Sequence, residues 1–476
     1  MRNREVEETL AGLYAQWAGS RPETIEKLPP SGSNRVYYRL SDGSRSAIGV
    51  VGENKRENRA FVSFSHALRK AGMCVPEVYA EDEDAGAYLQ QDLGRTSLFD
   101  LVTAERKANG GAFTPRLKET YKKVLASLAR LQVKGRQCID FGLCYPRSDF
   151  DRQSMMWDLQ YFKYYFLRLA GIAFDEERLE ADFSTFIDYL LETNCKYFLY
   201  RDFQSRNIMI DGDGTPWFID YQGGRRGARQ YDVASLLYDA KADIPGPVRN
   251  ELLAFYTSRL RENEAASFSR HYYGYCLIRI MQAMGAYGYR GFFERKEHFL
   301  RSIPYALDNM ADILSRHKPD IDLPELSRVW DELTRSERLR QIGEGGRLRV
   351  SVFSFSYKHG IPVDVSGNGG GHVFDCRALP NPGREERYRR STGLDADVRE
   401  FFAAHKDEMT PFIDAARQIV GISIGNYTRR SFGNLMVSFG CTGGQHRSVY
   451  CAEAVARWVR EQWPEVDVVV KHTEQQ

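Results

Sequence analysis

Apolar and polar positions alternate over short distances in the first 95 residues. The stretches VYYRL and SAIGVV predict two strands joined by the SDGS turn, and VPEVYAEDEDAGAYLQQDL predicts two more around an acidic turn. Residues 5–19 have an amphipathic helical pattern, and ENRAFVSFSHALRKAG predicts a second helix that ends at Gly72. We therefore expect strands, a Gly/Ser loop and helices in residues 1–95.

Helical spacing dominates from residue 96 to residue 316. It is interrupted at 197–221, where YFLYRDF, NIMI and PWFIDY predict short strands around a DGDG turn. Residues 317–346 carry KPDIDLP and GEGG, which predict a linker that contains a short helix. A compact unit of a different kind is expected beyond this linker.

Residues 347–476 open on the alternating stretch RLRVSVFSFSY, which predicts a strand. Near the end of the chain come the strand NLMVSFG, the loop CTGGQHRS, the helix VYCAEAVARWVREQ and the strand VDVVVK. This order of strand, loop, helix and strand predicts a small α/β domain.

Composition adds limits on partners and location. The 476 residues include 66 Lys and Arg against 64 Asp and Glu, so the net charge gives no global reason to expect nucleic acid or an anionic membrane. The eight cysteines stand singly with no CxxC pair, and the first residues lack a signal-peptide apolar core. With no apolar run of about 18 residues, we expect no membrane partner and a cytoplasmic location.

Asp202, Asn207 and Asp220 form the first candidate site. Asn207 follows Asp202 by five positions, and Asp220 follows within the next strand pair. Transfer of a phosphoryl group from ATP needs one carboxylate that accepts the proton of the attacking hydroxyl, and an amide and a second carboxylate that hold Mg²⁺. Each residue alone is more often structural, but the spacing together predicts a phosphotransferase that uses ATP and Mg²⁺.

The stretches YRDFQSRNIMI and FIDYQGGRRGARQYDVASLLYDA resemble the aminoglycoside phosphotransferase-like family, in particular its AmgK-type anomeric sugar kinases. The similarity covers residues 1–316 and includes GSNRVYYRL, LQQDLGRTSL and LIRIMQAMGAYGYRG. It implies an α+β protein-kinase-like fold of two lobes, 1–95 and 96–316, that phosphorylates the C1 hydroxyl of N-acetylglucosamine or N-acetylmuramate. It also implies that Asp202 is the catalytic base, that Asn207 and Asp220 bind the metal, and that a loop covers the ATP phosphates. The residues of that loop are Ser31, Gly32, Ser33 and Asn34.

This chain departs from the family pattern at two places. Tyr200 stands where the motif has His, a residue whose role is mainly structural. The strand SAIGVV has no lysine, and Lys55 and Arg56 follow it. Glu57 matches the glutamate that such a lysine would pair with. The residue that contacts the ATP phosphates is therefore left open, and a catalytically inactive kinase is an alternative.

Residues that follow Asp220 in the chain are expected to have auxiliary roles. Asp232 is expected to brace the loop of Asp202 by capping a helix. Arg225, Arg226 and Arg229 are candidates for contact with an anionic group of the substrate, although exposed arginines are common.

The loop CTGGQHRS forms the second candidate site. Its glycines allow successive N–H groups to converge, a helix begins beside it, and Arg447 adds a two-pronged donor, so a phosphate group is the expected ligand. The same letters fit the pattern of cysteine phosphatases, with Cys441 as nucleophile, although Gly440 stands where those enzymes have His.

The stretches FSFSYKHGIPVD, HVFDCRALPNP and GCTGGQHRSVYCAE resemble the C-terminal domain of the RNase adapter protein RapZ over residues 347–472. The resemblance implies binding of glucosamine 6-phosphate and contact with small RNAs. The implied phosphate-binding residues and their neighbours are Thr442, Gly443, Gly444, Arg447, Ser448, Lys358, His359 and Arg377. Asn381-Pro382-Gly383-Arg384 replaces the family's NPHW, and 17 basic against 15 acidic residues in 347–476 is a weak charge excess for RNA binding.

Three alternatives remain at this point. The chain could be a kinase of aminoglycosides or other small molecules, a non-catalytic regulator that binds RNA or a metabolite, or a kinase fused to a phosphatase. Fold-level similarity alone does not fix the phosphate acceptor.

Overall fold

The computed structural model describes residues 3–29, 35–294, 296–342, 348–364, 370–429 and 432–475. The chain divides into two compact units. One comprises Met1–Tyr289 with Tyr305–Ser336, and the other comprises Arg290–Pro304 with Glu337–Gln476.

The helices span both units. In chain order they are α1 Asn3–Ala18, α2 Lys55–Lys70, α3 Leu98–Ala108, α4 Pro115–Cys138, α5 Arg152–Phe162, α6 Glu176–Leu191, α7 Arg229–Leu237, α8 Gly246–Thr257, α9 Glu262–Tyr287, α10 Glu297–Leu300, α11 Ile303–Arg316, α12 Pro324–Arg335, α13 Glu337–Gln341, α14 Ala396–Ala404, α15 Lys406–Arg429 and α16 Arg447–Gln462. Within the part of the chain that the structure describes, none of these helices combines the length and the apolar character needed to cross a bilayer.

The strands form separate sheets. In chain order they are β1 Thr24–Lys27, β2 Val36–Ser41, β3 Ser46–Val51, β4 Val78–Asp82, β5 Ala87–Gln91, β6 Tyr197–Leu199, β7 Ile208–Ile210, β8 Pro216–Phe218, β9 Arg225–Gly227, β10 Arg349–Ser356, β11 His372–Asp375, β12 Asn434–Cys441 and β13 Asp467–His472.

The first part of the larger unit is an antiparallel sheet of order β1-β2-β3-β5-β4. Helix α1 packs on it through Leu10 and Tyr14, which are fully buried. The contact is close: a Cβ at Gly49 of β3 would lie 2.8 Å from the Leu40 side chain and 2.9 Å from that of Leu10. The strands and the helix predicted for this region are confirmed, and α2 ends one residue before Ala71, with Gly72 in the left-handed region at φ 75°.

The rest of the larger unit is mainly helical and carries two short antiparallel pairs, β6–β9 and β7–β8. The three strands predicted within 197–221 are present, and β9 is an addition that pairs with β6. Strand β6 packs on α4. The contact is close, since a Cβ at Gly135 of α4 would lie 2.6 Å from the Cβ of Phe198 in β6. Sheet and helical lobe together confirm the predicted α+β, protein-kinase-like fold class.

Residues 317–346, predicted as a linker with a short helix, include α12, which packs on α6. Trp330 is 1% exposed, its ring meets that of Phe186 edge-on, and its indole N–H points at the sulfur of Met281, 3.5 Å away. At the start of the helix the backbone N–H of Leu326 donates to the Asp182 carboxylate over 2.7 Å. As far as Ser336, this segment is therefore part of the larger unit's core rather than a tether.

The smaller unit is built on a parallel sheet of order β11-β12-β10-β13. Val350 and Val352 of β10 and Val437 and Phe439 of β12 are fully buried, and α15 and α16 supply the other side of this core. The predicted strand, loop, helix and strand correspond to β12, α16 and β13. The prediction of a smaller α/β domain is confirmed.

Replacing Trp330 with Ala should lower the free energy of unfolding of the larger unit by roughly 3–5 kcal/mol, because the change leaves a cavity between α6 and α12. The measurement is urea denaturation of the full chain. Asp331→Ala is the matched control, since that side chain is 65% exposed and should change stability by less than about 0.5 kcal/mol. Equal, small effects of both changes would show that α12 is only a linker.

Candidate functional site

Asp202 lies in the loop between β6 and β7, and a buried carboxylate fixes the backbone just before it. Asp232, fully buried in α7, accepts the N–H of Tyr200 over 2.8 Å and that of Arg201 over 3.0 Å. Arg201 has φ 85°, a conformation that costs a residue with a side chain about 1–2 kcal/mol. The two hydrogen bonds offset this cost and hold the chain where Asp202 begins.

Asp232 braces the loop of Asp202 as predicted, but it does not cap a helix. Asp232 lies within α7, and the N-cap residue of that helix is Ala228. Burial raises the pKa of Asp232 to about 7, while the two backbone N–H groups and the Gln132 amide favour its charged form.

Tyr200 and Arg201 hold the loop with their side chains as well. The Tyr200 hydroxyl donates to the carbonyl of Ile219, and the carbonyl of Asn207 lies 3.4 Å away. The Arg201 guanidinium donates over 2.5 Å to the Asp158 carboxylate and over 2.5 Å to the Tyr231 hydroxyl. Tyr200 thus does structural work in place of the family's His.

Asn207 and Asp220 come together because β7 and β8 pair. The Asn207 Nδ2 donates to the Asp202 carbonyl over 2.8 Å, and the Asn207 carbonyl accepts the N–H of Ile219 over 3.1 Å. Asp220 follows at φ 68°, and the Gln222 amide donates to its Oδ1 over 2.8 Å. The structure therefore brings the three predicted residues to one place.

The charges around Asp220 match a cation site. Desolvation raises the pKa of Asp220, the Asp202 carboxylate adds to this, and Gln222, Arg35 and Arg206 oppose it. The Asn207 amide nitrogen is committed to a backbone carbonyl, so its Oδ1 is the atom suited to a metal. Among the described residues no cluster of three His, Cys, Asp or Glu could hold a metal. A Mg²⁺ ion held by two protein oxygens and by nucleotide phosphates fits this donor set.

Arg35 is a buried cation beside Asp220 that the sequence analysis does not single out. Its guanidinium lies 3.1 Å from the Glu57 carboxylate and 3.7 Å from the Asp220 carboxylate. Lys55 instead lies 3.8 Å from Asp84, and Arg56 lies over the ring of Tyr145. The available signal was position, since Arg35 directly follows the predicted phosphate loop.

Residues 31–34, predicted to cover the ATP phosphates, lie outside the described residues. The arginines of 225–229 are each engaged elsewhere. Arg226 pairs with Asp149 over 2.9 Å, and Arg229 lies over the ring of Tyr197. Arg225 is buried, and its Nε donates over 3.0 Å to the carbonyl of Gly223.

The second candidate site is a cleft of about 280 Å³ in the smaller unit, at the loop between β12 and α16. Gly444 has φ 67°, and a Cβ there would lie 2.2 Å from the Glu474 side chain and 3.0 Å from the Ser356 nitrogen, so the loop requires glycine. The residues that line the cleft are Asn381, Gly383, Arg389, Cys441, Thr442, Gly443, Gln445, His446 and Arg447.

Buried groups support this loop from below. The Arg447 side chain is buried, and its Nη1 donates to the carbonyls of Arg377 and Leu379 over 2.8 and 3.3 Å. The Ser448 hydroxyl lies 3.2 Å from the Cys441 sulfur. Burial opposes ionisation of Cys441, but hydrogen bonds from Ser448 and from the backbone of Gly444 hold its pKa below the ordinary value of a thiol.

The structure does not bring Lys358, His359 and Arg377 into this cleft. The His359 ring lies 2.8 Å from the Glu474 carboxylate, and the Arg377 guanidinium pairs with Asp375 over 2.7 Å. Arg377 contributes only its carbonyl, through Arg447. Arg389 and His446 line the cleft in their place, and the sequence signal for His446 was its position immediately before Arg447.

A comparison with known protein families shows a phosphotransferase domain in the larger unit. Residues 24–266, just over half of the chain, match the phosphotransferase enzyme family, APH, and the chain belongs to that family. Residues 348–476 match the RapZ C-terminal domain. The resemblances to the aminoglycoside phosphotransferase-like family and to the RapZ C-terminal domain are confirmed.

The curated relatives share the second region. The RNase adapter proteins RapZ of Pectobacterium carotovorum subsp. carotovorum (strain PC1) and Escherichia coli O139:H28 are each 36% identical over 162 residues, which is 33% of this chain and 55% of theirs. The chain thus spans about half the length of the curated relatives it matches. Solved structures similar to it include the choline kinase LicA of Streptococcus pneumoniae (12% identity, TM-score 0.41) and a thermostable mutant of the aminoglycoside phosphotransferase APH(4)-Ia (14%, 0.43). Each covers 65% of this chain and 99% of its own.

Replacing Asp232 with Asn should lower the free energy of unfolding by roughly 1–3 kcal/mol, because an amide has one acceptor oxygen and leaves one of the two backbone N–H groups unpaired. Urea denaturation measures this loss. Asp213→Asn, in the exposed turn before β8, is the control. A loss no greater than that of the control would show that Asp232 does not brace the loop.

Proposed function

We propose that this chain transfers the γ-phosphoryl group of ATP to the anomeric hydroxyl of an N-acetylated amino sugar, with N-acetylglucosamine and N-acetylmuramate as the acceptors. The observation that carries the proposal is the convergence of Asp202, Asn207 and Asp220 at the β7–β8 pair. Belonging to the phosphotransferase family supports the reaction class, and the residue-level resemblance to anomeric sugar kinases supports the acceptor. Cell-wall recycling in the cytoplasm is the setting that fits these acceptors.

In the proposed reaction the Asp202 carboxylate orients the acceptor hydroxyl and takes its proton as the oxygen attacks the γ-phosphorus. A new O–P bond forms, the bond to the β-phosphate oxygen breaks, and ADP leaves. Asn207 Oδ1 and the Asp220 carboxylate would hold Mg²⁺, which supplies neutralising charge to the phosphates when bound. The braced backbone before Asp202 keeps the base in place and limits reorganisation during the reaction.

The charges near the loop favour a neutral or anionic acceptor over a polycationic aminoglycoside. Arg201 lies immediately before Asp202 in the chain, and burial, followed by repulsion from Arg201, lowers the pKa of Arg225. The guanidinium groups of Arg201 and Arg225 therefore lie near each other. The Asp158 carboxylate pairs with Arg201.

The cleft of the smaller unit is proposed to bind an amino-sugar phosphate such as glucosamine 6-phosphate. Converging backbone groups at Thr442 and Gly443, the start of α16 and the Arg447 side chain suit a phosphate group. Binding of a product-like sugar phosphate would allow feedback on the kinase. RNA is the alternative partner of this domain, because the relatives that match it are named RNase adapter proteins.

A cysteine-dependent phosphatase is a second candidate activity of the cleft, favoured by the lowered pKa of Cys441 and by its contact with Ser448. A thiolate would form an S–P bond as the ester P–O bond breaks, the alcohol would take up a proton, and water would then release phosphate. Loss of aryl phosphate hydrolysis in Cys441→Ser supports this activity, and absence of hydrolysis by the unaltered chain removes it.

Asp202→Asn should lower turnover by roughly 10²–10⁴-fold, because the amide cannot accept the hydroxyl proton. The assay measures ATP consumption with Mg²⁺ and a panel of N-acetylglucosamine, N-acetylmuramate, glucosamine, kanamycin and choline, and phosphorus NMR locates the new phosphate. Asp213→Asn is the control and should retain turnover. Transfer to kanamycin or choline alone would refute the sugar assignment, and no turnover on any acceptor would favour a regulator.

Arg447→Lys should weaken binding of glucosamine 6-phosphate to the full chain by roughly 10-fold or more, because lysine cannot donate two parallel hydrogen bonds. Isothermal titration calorimetry measures the affinity. Arg387→Lys is the matched control, since that side chain is 69% exposed beside Glu385. Unchanged affinity in Arg447→Lys would exclude the cleft as the phosphate site.

A further inference from the structure

Arg35 is a buried cation placed between carboxylates from two distant parts of the larger unit. Its side chain is 4% exposed and lies immediately before β2. Glu57, in the first turn of α2, lies 3.1 Å from it, and Asp220, after β8, lies 3.7 Å from it. The Arg35 contact with Asp220 therefore joins the sheet to the predicted metal site.

The surroundings differ from those of an ordinary structural ion pair. Arg39, four residues later, meets Asp92 through two hydrogen bonds of 2.7 and 3.1 Å, and the Asp92 side chain is 7% exposed. The two carboxylates around Arg35 are instead 35% and 31% exposed. The buried Arg35 guanidinium thus lies between two partly exposed carboxylates, one of which belongs to the predicted metal ligand Asp220.

Backbone packing fixes the stem of Arg35. Gly52 lies opposite in the strand pair, and a Cβ there would come within 3.2 Å of the Arg35 Cγ and 2.9 Å of the Asn58 Oδ1. The Asn58 amide in turn donates to the carbonyls of Gly52 and Gly86. These contacts join the adjacent ends of β2 and β3 to α2. They fix the aliphatic part of the Arg35 side chain, and Glu57 orients its guanidinium group.

We propose that Arg35 binds the phosphate oxygens of ATP and takes the place of the strand lysine that this chain lacks. In kinases a cation paired with a helix glutamate contacts the ATP phosphates beside the metal-binding Asp. Here the cation comes from the start of β2 instead of from β3, and Glu57 is a positioning residue that acts through Arg35. A guanidinium suits this place because it donates to a carboxylate and a phosphate at once. The inference rests on the proposed kinase function.

The test measures binding of Mg-ATP and of adenosine to the full chain by isothermal titration calorimetry, which requires no acceptor and no turnover. Arg35→Met should weaken Mg-ATP binding by roughly 10- to 100-fold and leave adenosine binding unchanged, because adenosine has no phosphate. Arg35→Lys should recover part of the loss, and Glu57→Gln should show a smaller loss of the same selectivity. Arg39→Met, in the adjoining strand β2, is the matched control for removing an ion-paired arginine with a side chain that is 15% exposed.

Unchanged Mg-ATP binding in Arg35→Met overturns the proposal. Equal weakening of Mg-ATP and adenosine, as for a lobe that is merely loosened, overturns it also, and thermal unfolding of Arg39→Met shows how large such loosening is. These outcomes leave the kinase function intact if the unaltered chain still phosphorylates a sugar. If the unaltered chain binds Mg-ATP but phosphorylates no acceptor, the kinase proposal fails, while the selectivity of Arg35→Met still decides the role of Arg35.

Discussion

The two hydrogen bonds that the Asp232 carboxylate accepts are the constraint on which the first site depends. They hold consecutive N–H groups of Tyr200 and Arg201, and so impose a left-handed conformation that arginine does not choose by itself. This backbone conformation sets the direction in which the chain continues through Asp202. Asn207 then closes the loop on the Asp202 carbonyl, and the pairing of β7 with β8 brings Asp220 alongside.

The charges of the site are arranged around carboxylates that would repel one another. Asp202 raises the pKa of Asp220, and Arg35 acts against this from the sheet. Such a set of charges has low energy only when cations balance the acids. A magnesium nucleotide would bring both positive charge for the two acids and negative charge for Arg35, so the arrangement is electrostatically suited to such a ligand.

Much of the fold and the linear part of the site could be predicted from the sequence, because those signals are local. Asp202, Asn207 and Asp220 lie close together in the chain, on either side of the short β7–β8 pair, and the order of β12, α16 and β13 is read directly from the pattern. The contacts of Arg35 could not be predicted, since its partners Glu57 and Asp220 are remote in the chain and the family pattern has its cation in β3.

Two further differences have physical causes. Residues 317–346 were predicted as a linker with a short helix because of KPDIDLP and GEGG, although Leu326, Val329, Trp330 and Leu333 follow the spacing of a buried helix face. In the smaller unit, His359 and Arg377 were expected near the ligand because the resemblance to the RapZ C-terminal domain implied them as neighbours of the phosphate. Nearby acids, Glu474 and Asp375, engage their side chains instead, and no pattern in the sequence announces such pairs.

The division of the chain into units has a consequence for how this protein could have been assembled. The chain leaves the larger unit after Tyr289, returns to it at Tyr305 and leaves again after Ser336. Neither unit is therefore encoded by one uninterrupted stretch. A single recombination event at one junction could not exchange either of them cleanly: a cut at 316 would strip α12 from the kinase-like core, and a cut at 290 would carry α11 away with the wrong partner. An exchange of either unit would have to cut the chain at each of these junctions.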